Sequence, residues 1–113
     1  MRLAWLFALL LWGCSKEPET DLPSIAAARS LAAEWALVND QAAKGNLTSV
    51  YTETMRKDLR QQLQSAQRAL TQPDSDYGEE ISQLLKEPGD ASPQALHARS
   101  ARLKQIEDSL ESA

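Results

Sequence analysis

The feature that most constrains the fold is a repeat of apolar residues at steps of three and four, which begins about thirty residues into the chain. A repeat of this kind places its members on one face of an α-helix. We predict a first helix from about Leu22 or Ser24 to Lys44, with Asp21 or Ser24 as its N-cap and Gly45 as its C-terminal stop. The apolar positions of this helix are Ala28, Leu31, Trp35, Val38 and Ala42.

A second segment with the same repeat follows after Gly45 and Asn46, and we predict a helix there from about Leu47 to Thr71. So short a join favours antiparallel packing, so the two helices are expected to form a long helical hairpin. The inner face of the second helix is predicted to carry Leu47, Val50, Tyr51, Met55, Leu59, Leu63, Ala66 and Leu70.

Capping signals indicate two more helices. A capping box with Asp76 as N-cap and Glu79 three residues later predicts a short third helix, which ends before Pro88-Gly89. Ser92 before Pro93 predicts a fourth helix that reaches almost to the C-terminus. Its apolar residues are Leu96, Leu103, Ile106 and Leu110. No segment alternates as a strand does, so we predict an all-α fold, a small helical bundle of the hairpin plus one short and one longer C-terminal helix.

The N-terminus carries an unbroken apolar run from Leu3 to Trp12, preceded by Arg2 and followed by Gly13. Ten helical residues span about 15 Å, half of the roughly 30 Å of a bilayer's hydrocarbon, so this run is too short for a spanning helix. A basic start, a short apolar stretch and a small residue before the cut are typical of a secretory signal peptide. We therefore predict a signal peptide over residues 1–13.

The motif Leu11-Trp12-Gly13-Cys14 resembles the lipobox of a bacterial lipoprotein precursor, with Leu11 and Gly13 matching the pattern and Trp12 departing from it. The resemblance implies that the Cys14 thiol carries a diacylglycerol and that a peptidase cleaves before Cys14. It also implies that the new amine receives an acyl chain such as palmitate. The protein would then be lipid-anchored in the cell envelope on its periplasmic face, and Ser15 resembles the class sorted to the outer membrane.

Residues 15–21 contain no apolar side chain, and we predict that residues 14–21 comprise the lipidated Cys14 and a polar tether, followed by a helical domain over 22–113. Removal of residues 1–13 would take away one basic residue and leave 11 Lys and Arg against 16 Asp and Glu. This net charge of −5 disfavours a partner such as DNA or RNA.

Polar residues offer few sites for chemistry. His97 is the one imidazole and is expected at the surface or at a boundary. A single Cys excludes an internal disulfide and the usual zinc ligand sets. The densest acidic group has the spacing of a calcium loop only at its start, and we interpret it as stabilising a helix N-terminus. This acidic group is Asp74, Asp76, Glu79 and Glu80.

Three basic residues, Arg56, Lys57 and Arg60, cluster on the second helix as a possible interaction surface. A solvated helix face is the alternative interpretation. The fourth helix has acidic residues near its C-terminus, where the helix dipole disfavours them. We hypothesise that this acidic end lies against the three basic residues, within the chain or across a dimer.

No nucleophile, acid/base pair or metal set is evident, so we expect that the protein is not an enzyme and binds no cofactor. The function we predict is a small membrane-anchored, periplasm-facing lipoprotein that acts as a helical interaction or scaffolding module of the envelope. Its partner would be another envelope protein or a second copy in a homo-oligomer, docked on the helical hairpin. The alternative is an accessory module that binds lipid or peptidoglycan.

Overall fold

The computed structural model describes residues 18–112, which form a bundle of four α-helices without a strand in that range. The predicted all-α bundle is therefore confirmed. A short 3-10 helix, Pro18–Asp21, leads into the helices α1 (Leu22–Ala43), α2 (Ser49–Arg68), α3 (Asp76–Lys86) and α4 (Pro93–Glu111). Gly45 has a φ of 76° after the end of α1, a left-handed conformation that glycine adopts without a Cβ penalty.

Helix α1 lies at the centre of the bundle, with α4 and α2 packed along it and α3 lying against both α2 and α4. The predicted antiparallel hairpin of α1 and α2 is present, but α1 has its larger interface with α4. Ala28, Ala32 and Ala36 are fully buried, and such small side chains let neighbouring helices approach closely. The larger side chains of the core are Ile25, Leu31, Trp35, Leu59, Leu63, Ile81, Leu84, Leu96, Leu103 and Ile106.

Side-chain caps begin three of the four helices. The Ser92 hydroxyl accepts a hydrogen bond from the Ala95 amide at 3.1 Å, as predicted for α4. The predicted Asp76 cap of α3 is wrong, because the Ser75 hydroxyl caps that helix by accepting from the Gly78 amide at 3.2 Å. The sequence alone does not show which of two adjacent residues provides the cap, because both side chains can accept the hydrogen bond. The conformation of the preceding turn decides which one does.

The predicted inner face of α2 is wrong at its first turn. Val50 and Tyr51 are 77% and 51% exposed, whereas Thr52 is 5% exposed. The Thr52 hydroxyl donates to the Thr48 carbonyl at 2.8 Å, so its polar atom is satisfied in the interior. The buried side of α2 runs instead through Thr52, Leu59, Leu63 and Ala66.

The turn before α3 requires a glycine for a steric reason. A Cβ on Gly78 would collide with the Pro73 carbonyl group and would lie 2.7 Å from the Pro73 carbonyl carbon. Only a residue without a side chain lets the chain after Pro73 fold back onto the first turn of α3. The same loop contacts the start of α1, where Thr71 and Gln72 donate to the Asp21 carboxylate.

Asp21 joins that loop to the start of α1. Its side chain is fully buried, and its carboxylate accepts hydrogen bonds from the Tyr77 hydroxyl at 2.7 Å, the Thr71 amide at 2.8 Å and the Thr71 hydroxyl at 3.0 Å. A fourth bond comes from the Gln72 amide at 3.2 Å. Asp21 occupies the N-cap position of α1 as predicted, but its side chain makes no cap to α1 because these four donors occupy it.

These contacts also correct the predicted domain boundary. Residues 18–21 fall within the predicted polar tether, yet they form the 3-10 helix that packs on α1 and α4. The folded domain therefore includes Pro18–Asp21 rather than beginning at Leu22. The cause is the buried Asp21 carboxylate, whose donors lie fifty residues or more along the chain. The remainder of the predicted tether, residues 14–17, lies outside the described residues.

Burial alone would raise the pKa of Asp21, but the hydrogen bonds from Tyr77, Thr71 and Gln72 outweigh it and lower the pKa below its ordinary 3.8. Burial and the bond to Asp21 raise the pKa of Tyr77 to about 12. At neutral pH the pair is therefore an ionised acceptor and a protonated donor. The free energy that ionised Asp21 contributes to folding is complete above its unfolded pKa, and it is lost as the pH falls through the lower folded pKa.

We predict that Asp21→Asn lowers the free energy of unfolding by about 2 to 3 kcal/mol at pH 7, because an amide cannot accept all four bonds as a carboxylate does. Urea unfolding followed by circular dichroism measures this change. The difference between the two proteins should shrink below about pH 4, where Asp21 takes up a proton in the unfolded chain. A difference that persists unchanged at pH 2 would contradict the assigned ionised state.

Candidate functional site

Exposed apolar side chains lie at the end of the bundle where α1 meets α2, and Val50 is the most exposed of them but does not line the groove that the others form. Leu37 on α1 is 59% exposed and Tyr51 on α2 is 51% exposed. They line a groove of about 220 Å³, which we call the apolar groove. The groove is lined by Glu34, Leu37, Val38, Gln41, Leu47, Tyr51 and Met55.

This groove lies beside the turn that joins the two helices. Leu37 and Gln41 lie in the last two turns of α1, and Tyr51 lies in the first turn of α2, on either side of the Gly45 turn. Tyr51 was predicted to belong to the core, but the buried stripe of α2 starts with Thr52 and leaves the Tyr51 ring outside. The groove is therefore open to solvent at this end of the hairpin.

A second groove lies between the same two helices at their other ends. Its volume is about 380 Å³ and its walls carry mostly small side chains, so we call it the small-residue groove. It is lined by Pro23, Ser24, Ala27, Leu31, Gln62, Ser65 and Ala66. Ala27, Glu34 and Gln41 are seven residues apart on α1, which puts the two grooves on one line along the same side of the hairpin.

The three basic residues predicted as an interaction surface have different positions. Arg60 donates to the carbonyl oxygens of Leu85 at 2.6 Å and Glu87 at 3.2 Å, and its guanidinium lies 5.5 Å from the centroid of the Trp35 ring. These contacts hold the end of α3 against the hairpin. Arg60 therefore acts inside the domain rather than on a free surface.

Arg56 is also used within the chain. Its guanidinium donates to the Asn39 side-chain oxygen at 2.9 Å and pairs with Glu53 at 2.9 Å. Lys57 is exposed. Of the three predicted residues, Arg56 and Arg60 are bonded within the domain and only Lys57 projects freely from it, so the structure does not bring them together as one open patch.

The acidic end of α4 does not lie against these basic residues within the chain. Glu107 is buried and pairs with Arg29 of α1 at 2.7 Å, while Asp108 pairs with Lys104 one turn away at 3.0 Å. The intramolecular form of the hypothesis is therefore wrong, because α4 packs on α1 rather than on α2. The form in which α4 meets α2 across a dimer stays a prediction.

Trp35 and Asn39 bind the loop between α3 and α4. The Trp35 indole donates to the Gly89 carbonyl at 2.9 Å, and the Asn39 amide donates to Gly89 at 3.0 Å and to Ala91 at 2.8 Å. Trp35 is buried, as predicted. Sequence reasoning missed Asn39, although an asparagine in a helix interior, one turn after an inner-face tryptophan, is disfavoured unless its amide has a specific partner.

The other polar residues singled out from the sequence lie at the surface or in ion pairs. His97 is exposed, as expected. Asp76 and Glu79 lie in the first turn of α3, where carboxylates stabilise the helix dipole. Glu80 pairs with Arg99 of α4 at 3.1 Å, so it links two helices instead. Among residues 18–112, no three His, Cys, Asp or Glu side chains are grouped so that they could hold a metal ion.

The predicted lipidation site, Cys14 with its lipobox residues Leu11 and Gly13, lies outside the described residues. Within them, no helix combines the length and the apolar character needed to cross a bilayer. Comparison with known proteins finds no family model, no curated protein and no solved structure that matches this chain.

We predict that Arg60→Glu and Lys57→Glu, which change the net charge equally, differ in stability. Arg60→Glu should lower the free energy of unfolding by about 2 to 3 kcal/mol, because it removes two charged hydrogen bonds and puts a carboxylate beside the same carbonyl groups. Lys57→Glu should change it by less than about 0.5 kcal/mol. Urea unfolding at matched salt measures both, and equal losses would show that net charge rather than the contacts of Arg60 is responsible.

Proposed function

We propose that this chain is a small lipid-anchored helical module of the bacterial cell envelope, and that it acts by binding another macromolecule rather than by catalysing a reaction. The observation that carries the binding role is the apolar groove, where Leu37 and Tyr51 remain more than half exposed at the end of the hairpin. Exposed apolar side chains grouped in a concave surface are typical of interaction sites.

The geometry of α1 supports a role for this groove away from the membrane surface. The lipidated residue of the proposal is Cys14, and the described chain starts at Pro18 beside the N-terminus of α1. Helix α1 has 22 residues and is therefore about 33 Å long. The groove lies near the C-terminal end of α1. With α1 directed away from the membrane, Leu37 and Tyr51 would face the periplasm.

The anchoring part of the proposal rests on the resemblance of Leu11-Trp12-Gly13-Cys14 to a lipobox. We predict that the native product begins at Cys14 and carries diacylglycerol on its thiol, whereas Cys14→Ser remains unprocessed. Intact-mass spectrometry of the membrane and soluble fractions measures both. A native product that retains Met1 and a free Cys14 thiol would contradict the anchoring.

The binding part predicts that Leu37→Ser/Tyr51→Ser abolishes crosslinking of the anchored protein to its partner in cells. Because both side chains are exposed, this variant should unfold within about 0.5 kcal/mol of the wild type. The matched control is Gln83→Ser on α3, an exposed residue away from the hairpin. Discrete protein partners that are lost only in the groove variant support the interaction module, whereas lipid or glycan that co-purifies with both proteins favours the accessory module instead.

A further inference from the structure

The line between the two grooves carries two carboxylates. Glu34 belongs to the lining of the apolar groove, and Asp58 lies on α2 between Met55 of the apolar groove and Gln62 of the small-residue groove. The residues that share each groove set the register, with Leu31 near Gln62 and Val38 near Met55. This register brings Glu34 and Asp58 to the same level on the two antiparallel helices. We call the two grooves together with these carboxylates the outer seam.

The two carboxylates lack cationic partners within residues 18–112. Glu34 is exposed and takes part in none of the ion pairs of the domain, and Asp58 accepts only from the neutral Gln62 amide at 2.9 Å. Lys44, which follows the end of α1, pairs with Asp40 at 3.0 Å. The outer seam therefore combines an apolar groove with negative charge that the domain does not neutralise.

The side of α2 that bears the outer seam does not carry Arg56, Lys57 or Arg60. Arg56 and Arg60 face the core and the loop before α4, where their guanidinium groups are already bonded. Lys57 lies two residues from Met55 along α2, so it projects about 200° away from that side chain around the helix. The charge of the seam is thus set by Glu34 and Asp58.

We infer that the outer seam binds an α-helix of another protein, one that carries a large apolar side chain and a Lys or Arg about one turn away. The apolar side chain would enter the apolar groove between Leu37 and Tyr51, and the basic group would pair with Glu34 and Asp58. Helices recognise grooves through residues at such i and i+3 or i+4 spacings. This inference rests on the proposed function and names the kind of partner.

Each part of the seam favours a helix as the occupant. Val38 and Glu34 are four residues apart on α1, a rise of about 6 Å, which matches the rise between residues i and i+4 of an aligned helix. The small-residue groove beyond Glu34, with Ala27 and Ser65 in its walls, lets the backbone of that helix approach closely. The open ends of the seam leave room for a segment longer than the apolar groove itself.

Charge argues against two other occupants. A second copy that presented its own outer seam would bring four carboxylates together in a chain whose net charge is −4, and like charges in an interface are repulsive. An anionic membrane surface attracts Lys and Arg, whereas this seam presents Glu34 and Asp58. A basic, apolar helix satisfies both features at once.

The test places a photocrosslinking amino acid at Leu37 of the full-length protein in its native cells, and it identifies the crosslinked peptide by mass spectrometry. We expect a peptide from another protein with an apolar residue and a Lys or Arg three or four positions apart. Glu34→Lys/Asp58→Lys should lower the crosslinking yield on the order of tenfold, since it turns attraction into repulsion. Reversal of the partner's basic residue to Glu should restore the yield.

The matched control is Asp74→Lys/Asp90→Lys, which changes the net charge equally at exposed positions outside the seam. Thermal unfolding of both variants shows whether each remains folded, and the control should crosslink as the wild type does. An adduct with lipid, with this chain itself or with a peptide that lacks the basic residue overturns the inference, as does a yield that the Glu34/Asp58 variant leaves unchanged. The absence of any adduct at Leu37 overturns the proposed function as well.

Discussion

Burial of α1 on two sides is the constraint on which the other parts of this domain depend. A helix that packs against both α2 and α4 has few positions left for solvent, so polar residues on its buried surface need specific partners. Asp21 at its start and Asn39 near its end supply these contacts. Asp21 holds the loop between α2 and α3, and Asn39 holds the loop between α3 and α4, so the central helix fixes both connections.

These polar contacts also determine which charges remain at the surface. Arg29 pairs with Glu107, and Arg60 donates to two carbonyl groups. Arg99 pairs with both Glu80 and Glu87. Arginine suits such sites because its planar group donates several hydrogen bonds in fixed directions. These three arginines thus join parts of the bundle to one another, while Glu34 and Asp58 stay unneutralised beside the apolar groove. The acidic outer seam is a consequence of how the domain is held together.

The proposed anchor and the proposed binding surface occupy opposite ends of the same helix. The 3-10 helix Pro18–Asp21 is attached to the bundle through the hydrogen bonds of Asp21. The chain that leads to the proposed anchor is therefore held at the start of α1. The apolar groove lies near the Gly45 turn, at the far end of α1. In the proposed arrangement α1, whose 22 residues span about 33 Å, separates the groove from the anchored end of the domain.

The candidate site was only partly predictable. The apolar repeat of α1 and the helical character of α2 were evident from the sequence, and the hairpin was the predicted docking surface. The sequence did not predict that Tyr51 is exposed and Thr52 buried. A shift of one residue rotates the inner face of a helix by about 100°. The threonine can be buried because its hydroxyl bonds to a carbonyl of its own helix. Asn39 carried a weak signal, since asparagine is unfavourable within a helix, but its partners Gly89 and Ala91 are fifty residues away.

The sequence by itself determined the four helices, the glycine that ends α1 and the cap that begins α4, because caps and periodicity act over a few residues. It also determined the apolar run and Cys14 on which the proposed anchor rests. Only the tertiary structure decided that Asp21 belongs to the folded domain, that α1 packs mainly on α4 and that Arg56 and Arg60 face inward. Those outcomes depend on donors and acceptors distant along the chain, which come together only when the helices pack.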